Sequence, residues 1–540
     1  MNVLNKPWFF SYPEQVPYEI TPPAVSIDDL LKNTSSLHPE KTAVIDNQKA
    51  KTYYQLNSDV DRLASALYDS GFKKGDKLAI MLPNCLEYII SFFAVQRLGG
   101  TVVQVNPMYT PRELEYILKD SEAVWFITNR IQVPKLEQIG YKDKLTVLIA
   151  EGEKDVKDSL NAWIEKGTNP SPEVNIDVEN DIAILQYTGG TTGRAKGVMI
   201  SHYNLISNLY QNKESSVGEA SEGSWERIIG IAPMFHAMGL TTMVTTIFRG
   251  GTFNTISRFE LNLLVETIRN FKPTTFSGSP TMYIALLNHP HLTSEDLNSI
   301  KICSSGSAPL SVEIMNRFEE KTGAPIIEAY GLSEATTMVT KNPSEGVRKP
   351  GSIGIPIPST DCRIVDIATG TIELPVGETG ELIVKGPQVM KGYWKNEEET
   401  AHALRDGWLF TGDLAVMDED GYFYIVGRKK DMIIAGGYNI YPLEIEEVLY
   451  QLPAVREVCV YGVPDPYRGE TVKAAIVLKE NAALTEKEVE DWCNQNLARY
   501  KVPRLIEFRD ELPKTAVGKI LRTKLIEQEK ESAALGGRKE

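Results

Sequence analysis

Short apolar runs alternate with amphipathic stretches through the first half of this 540-residue chain, and that rhythm is the strongest constraint on its fold. Thr42 to Ile45, Lys77 to Met81 and Val102 to Val105 read as strands, with helical patterns from Tyr53 to Ser70 and Tyr88 to Leu98 between them. Strands joined through single helices return in parallel, so the pattern predicts βαβ units in a layered α/β domain. The same rhythm continues through Thr274 to Ser277, Ser299 to Ser304 and Pro325 to Ala329, each ending in a turn rich in Gly, Ser or Pro. Ligands of open α/β sheets lie outside the carboxyl ends of the strands, where these turns fall.

From Gly351 the texture changes to short β-like runs, Asp361 to Asp366, Gly380 to Lys385 and Gly421 to Val426, which predict a small barrel or sandwich. After Gly427 and the charged Arg428-Lys429-Lys430-Asp431 a fresh α/β pattern begins. It has helices at Leu443 to Leu449 and Glu486 to Leu497, and strands at Val455 to Val460 and Lys473 to Val477. The chain is too long for one core, and the boundary fits best near Lys430, giving domains 1–429 and 430–540. The polar tail after about Gln528 is expected to fray.

A hydrophobic content of 42% without any run near the roughly 20 apolar residues of a membrane span predicts a soluble protein. Met1 to Phe10 has only the short apolar patch Pro7-Trp8-Phe9-Phe10, with proline where a signal-peptide core should be continuous, so no export signal is read there. A net charge of −15 disfavours nucleic acid as a partner and requires any anionic ligand to be held by a local site. Cys85, Cys303, Cys362, Cys459 and Cys493 are scattered, odd in number and outside metal-ligand spacing, as reduced thiols of a cytoplasmic protein would be. Homodimerisation and peripheral contact with the inner membrane face are left open.

One segment is dense in chemistry: Tyr187-Thr188-Gly189-Gly190-Thr191-Thr192-Gly193-Arg194-Ala195-Lys196-Gly197 follows the apolar run Ile182 to Leu185. Glycines after a strand let backbone N–H groups approach an anion, while the threonines add donors and Lys196 adds charge. Two residues separate Gly193 from Lys196, so the spacing is not that of the common nucleotide loop, which ends in Gly-Lys-Ser/Thr. This is a phosphate loop of another kind.

Three further segments and a late lysine complete a pattern: Tyr330-Gly331-Leu332-Ser333-Glu334, Trp408-Leu409-Phe410-Thr411-Gly412-Asp413, Gly427-Arg428-Lys429-Lys430-Asp431 and Gly518-Lys519. In this order they resemble the adenylate-forming superfamily of acyl-CoA synthetases, luciferases and peptide-synthetase adenylation domains, over essentially the whole chain. The resemblance implies a large N-terminal domain of two layered α/β subdomains plus a small distorted β-barrel. A small, mobile α+β C-terminal domain follows, turning about Lys430. The chain departs from the family where Ala195 replaces a usual proline and Gly189 a frequent serine.

The resemblance also implies roles. Thr188, Gly189, Gly190, Thr191, Thr192, Gly193 and Lys196 would cradle the ATP phosphates, and Glu334 with Thr191 would hold Mg²⁺. Gly306, Ser307, Ala308, Glu328, Ala329, Tyr330, Gly331 and Ser333 would border adenosine. Asp413 would accept the ribose hydroxyls, with Arg428 and an aromatic at position 425 beside it. Lys519 would stabilise charge at the α-phosphate. His236, Gly239, Ser277, Gly278, Ser304, Gly306 and Ala329 would border the acyl group. Gly436, Gly437 and Tyr438 would line the path of coenzyme A.

Amino-acid-activating relatives usually carry an aspartate at the His236 position, which argues against an amino acid substrate. No ion-pairing residue is evident for a charged tail, so an apolar monocarboxylate fits best. The N-terminal Trp8-Phe9-Phe10-Ser11-Tyr12-Pro13 resembles bacterial long-chain fatty-acyl-CoA ligases. The expectation is therefore an acid–thiol ligase using ATP, Mg²⁺ and CoA on medium- or long-chain fatty acids. An aryl-CoA ligase of the coumarate type is the alternative, and a non-catalytic acyl or nucleotide binder a distant one.

Overall fold

The computed structural model describes residues 6–151, 158–188, 195–216, 226–306, 310–435, 438–465, 467–515 and 518–536, with side chains to Glu531. The chain packs as two compact units, one of residues 1–361 and 384–409, the other of residues 362–383 and 410–540.

The first unit carries two large sheets. In one, Lys77–Met81, Thr101–Gln104, Trp125–Thr128, Thr146–Ile149 and Ile182–Thr188 run parallel, and Lys196–Ser201 and Gly392–Tyr393 extend the edge antiparallel. The other has a parallel centre of Thr42–Asp46, Thr252–Thr255, Arg227–Gly230, Thr275–Gly278, Ile302–Ser305 and Ile326–Gly331, closed by antiparallel strands at both ends. Every residue of Thr101–Gln104 and Trp125–Thr128 is buried, as a parallel strand covered on both faces requires.

Local chemistry sets the helix ends. The predicted helix from Tyr53 starts there because Thr52 and Gln55 form a reciprocal capping box, and it closes at Asp69. The helix predicted from Tyr88 begins two residues earlier, at Leu86, whose N–H donates to the Asp46 carboxylate over 3.2 Å. That contact comes from another strand, so the local pattern did not contain it. Arg97 is buried in a bidentate bond to Asp28 and a second bond to Asp61, which ties the helices Ile27–Leu37, Tyr53–Asp69 and Leu86–Arg97 together.

In the second unit, the Asp413–Met417 stretch of the strand Trp408–Met417 pairs antiparallel with Phe423–Arg428, the strand predicted at Gly421 to Val426. The shift follows from the Asp418 turn, which accepts from the Gly421 and Tyr422 N–H groups. A second sheet pairs Val455–Asp465 with Gly469–Leu478, and Leu505–Phe508 adds in parallel. The final helix runs Arg522–Gly536, past the point at which the polar composition predicts fraying. Leu525 is fully buried against Cys459, Tyr461 and Val463, and Glu529 pairs with Lys473, so the first turns of this helix are held by tertiary contacts.

Candidate active site

The strands on either side of the predicted phosphate loop, Ile182–Thr188 and Lys196–Ser201, pair antiparallel. Thr188 and Lys196 are register partners at the ends of Ile182–Thr188 and Lys196–Ser201, so hydroxyl and ammonium start from opposite sides of one loop mouth. Gly189, Gly190, Thr191, Thr192 and Gly193 lie outside the described residues, as do Ser307, Ala308, Gly436 and Gly437. Lys196 Nζ is 2.5 Å from Glu399 Oε2 and 5.1 Å from the centre of the Tyr393 ring.

Glu334 sits in the short 3₁₀ turn Ser333–Ala335 after the strand Ile326–Gly331. A Cβ on Gly331 would lie 1.4 Å from the Thr337 carbonyl oxygen, so only glycine lets the chain fold back this tightly and present the carboxylate. The Tyr393 hydroxyl donates to Glu334 Oε1 over 2.8 Å, and the Met390 N–H donates to the Glu334 carbonyl. Burial and the Glu334 carboxylate raise the Tyr393 phenol far above its ordinary range, so it stays a donor. A fixed carboxylate of this kind is a hard oxygen ligand suited to Mg²⁺.

The Pro233 to His236 turn is tied to both sheets. Asn84 donates to the Gly230 and Ala232 carbonyls and accepts from the Met234 N–H, while Gln186 donates to the Phe235 carbonyl over 2.9 Å. His236 is the N-cap residue of the helix Ala237–Phe248. Gly239 lets that helix settle on the turn, since a Cβ there would lie 2.2 Å from the Pro233 carbonyl oxygen. Gly306, Ala329 and the start of this helix converge: a Cβ on Gly306 would be 4.0 Å from both the Ala329 oxygen and Met238 Sδ. Nearby, the Ser304 hydroxyl donates to that of its register partner Ser277 over 2.7 Å, at the strand ends that also carry Gly278.

Glu328 and Tyr330 flank Ala329 on the strand Ile326–Gly331. Glu328 Oε2 accepts from the Gly351 N–H over 2.8 Å, yet burial pushes its carboxyl up to about 7.

The second unit gathers another cluster. Asp413 and Arg428 are register partners, with Arg428 Nε 3.2 Å from Asp413 Oδ1. The Asp413 N–H donates to the Thr411 hydroxyl, which itself donates to the Leu382 carbonyl. The Lys519 N–H donates to the Thr515 hydroxyl, and the Thr515 N–H donates to the Lys519 carbonyl. Burial, and then the nearby Arg428, lower its ammonium to about 8, with Asp413 and Asp431 opposing. Burial also lowers Lys430. Tyr438 is exposed and stacks on Tyr500, ring centres 4.5 Å apart.

One expectation needs correcting. The residue at position 425 is isoleucine, Ile425; the aromatic residues of this strand are Phe423 and Tyr424, and the Tyr424 hydroxyl donates to Asp418 over 3.1 Å. Three residues that matter to the site were missed. Tyr393 and Glu399 reach the hairpin because Gly392–Tyr393 pairs with Met199 and Val198, a contact across almost 200 positions that no local pattern announces. Arg522 bridges Asp431 and Glu446, at 2.7 Å each, and donates to the Val460 carbonyl. It fastens the turn that holds Lys430.

An α/β enzyme that sets a lysine, a carboxylate and small residues at its strand ends has the means to bind a nucleotide and to activate an acid at its phosphate. The chain belongs to the AMP-binding enzyme family: the family profile matches residues 31–394, and that of the AMP-binding enzyme C-terminal domain matches residues 444–519. The long-chain-fatty-acid–CoA ligase of Bacillus subtilis (strain 168) is 45% identical over 556 aligned positions, covering 98% of this chain and 99% of the relative. Among solved structures, the anthranilate CoA ligase AuaEII in complex with anthranoyl-AMP superposes with a TM-score of 0.87 at 31% identity, covering 95% of this chain and 99% of that one. ATP-bound MatB from Rhodopseudomonas palustris gives a TM-score of 0.86 at 32% identity, covering 93% and 99%.

Proposed function

We propose that this chain is an ATP-dependent fatty acyl-CoA synthetase. The observation that carries the reading is the likeness to the B. subtilis long-chain ligase over nearly the full length of both chains. In the first half-reaction a carboxylate oxygen attacks the α-phosphorus of ATP and the bond to pyrophosphate breaks. In the second the CoA thiol attacks the acyl carbon and AMP leaves.

The residues fit these steps. Thr188 and Lys196 would grip the β- and γ-phosphates, with Thr191 and its neighbours between them. Mg²⁺, held by Glu334 with Thr191, would neutralise charge on the leaving pyrophosphate. Asp413 and Arg428 would take ribose and α-phosphate oxygens, and Lys519 would stabilise the charge that develops during attack. His236 would face the reacting carboxylate, with Gly306 and Ala329 leaving room for the chain behind it. Lys430 would be the hinge between the two half-reactions, and Tyr438 would lie along the path of CoA.

A CoA-dependent AMP-release assay with palmitate, octanoate and coumarate tests the reading. Release with palmitate or octanoate at least tenfold above coumarate is expected. A preference for coumarate would instead support the aryl-CoA reading, for which the similarity to an anthranilate CoA ligase speaks.

A further inference from the structure

Lys196 already has an anionic partner, and that partner comes from a distant part of the sequence. Glu399 lies on the helix Glu397–Ala403, whose first turn is fixed by the Asn396 side chain, an acceptor for the Glu399 N–H over 3.2 Å. Thr400 ties the helix down from the other side, its hydroxyl donating to the Asn396 carbonyl and accepting from the Tyr393 N–H. The strand Gly392–Tyr393 that feeds this helix is itself paired to Lys196–Ser201, and the Trp394 N–H donates to the Gly197 carbonyl over 2.7 Å. Glu399 is therefore carried to Lys196 by backbone pairing rather than by a chance surface contact. The side chains of Lys196 and Glu399 are 13% and 31% exposed, so the pair is partly shielded from solvent.

We propose that Glu399 is a positioning residue for the phosphate-gripping lysine: a resident counter-ion that Lys196 must exchange for nucleotide phosphate oxygens. The inference rests on the reading of Lys196 as a phosphate contact. Two consequences follow from charge alone. The pair holds the ammonium at the loop mouth, above the Tyr393 ring, and the carboxylate opposes the triphosphate for as long as it stays near. Removing its charge therefore strengthens binding of ligands that reach Lys196 and leaves AMP, which has no β- or γ-phosphate, untouched. A partly exposed ion pair is worth at most about 1 kcal/mol, which corresponds to roughly fivefold in affinity.

The test is calorimetric titration of the full-length Glu399→Gln variant with ATP and Mg²⁺, and separately with AMP, in the absence of acid substrate. The expected result is an ATP Kd about fivefold lower than wild type with an AMP Kd within twofold of it. Glu399→Ala, which also removes the charge, should move ATP affinity in the same direction and stands in if the Gln variant misfolds. An unchanged or weaker ATP affinity, or an equal tightening of AMP, overturns the proposal. Lys196→Gln separates the two layers of the argument. It should weaken ATP at least tenfold, and if it does not, the assignment of Lys196 has failed and the exchange fails with it. Weakened ATP binding in Lys196→Gln with no gain in Glu399→Gln overturns the exchange alone.

Discussion

Tyr393 and Glu334, 59 positions apart, are joined by a 2.8 Å hydrogen bond from the phenol to Oε1 of the carboxylate. The bond leaves Glu334 with a fixed orientation and places Tyr393 behind a group we assign to Mg²⁺. Geometry of this kind matters more to a metal ligand than to a solvated surface charge.

Tyr393→Phe should therefore raise the Mg²⁺ concentration needed for half-maximal adenylate formation by about tenfold, as loss of a partner behind a metal ligand commonly does. Carboxylate-dependent ATP–pyrophosphate exchange across a Mg²⁺ series measures it. An unchanged Mg²⁺ dependence would make the bond purely structural.

Burial, and then the nearby Arg428, lower the Lys519 ammonium to about 8, so its charge is present below that pH and lost above it. Adenylate formation should fall as pH rises through about 8, and Lys519→Arg should carry the activity to higher pH, because a guanidinium does not deprotonate there. Lys519→Ala should abolish exchange while sparing thioester formation from preformed acyl-adenylate. For stability, a lowered lysine pKa means that the unfolded chain binds more protons between about 8 and 10.5, so this group's contribution improves as pH climbs through that window. Below 8 the burial penalty is fully present, and Lys519→Met should stabilise the fold there by on the order of 1–3 kcal/mol.

Glu328 has the opposite sign. Its carboxyl is raised to about 7, so the folded chain binds more protons between about 4.5 and 7 and loses stability as pH rises through that interval. Glu328→Gln should flatten this dependence and stabilise the fold at pH 8 by about 2–3 kcal/mol. Thermal unfolding at pH 5 and pH 8 reads it directly, and equal shifts at both pH values would contradict it.

Lys430 lies in the short 3₁₀ turn Lys429–Asp431, fastened on its far side by Arg522 to Asp431. Proline at 430 fixes φ and removes a donor, so a movement that needs φ/ψ change there is blocked. Lys430→Pro should lower thioester formation at least a hundredfold and adenylate formation less than threefold. Equal loss of both half-reactions would count against the hinge.

Much of this was legible in the sequence because it is local. The strand Lys77–Met81, the helix from Tyr53 and the helix from Glu486 follow from periodicity and from capping residues within four positions. The loop between Thr188 and Lys196 reads as a phosphate loop by composition alone, and the resemblance to a family implies the roles proposed for Glu334, Asp413, Arg428 and Lys519. Tertiary structure decided what those residues touch. The register that sets Asp413 opposite Arg428, the pairing that brings Tyr393 and Glu399 to the hairpin, and the burial that moves Lys519 and Glu328 off their ordinary pKa values all depend on segments far apart in sequence. Charge environment and strand pairing are properties of the folded chain, since they arise only when distant backbone groups are brought within hydrogen-bonding distance and water is excluded from around them.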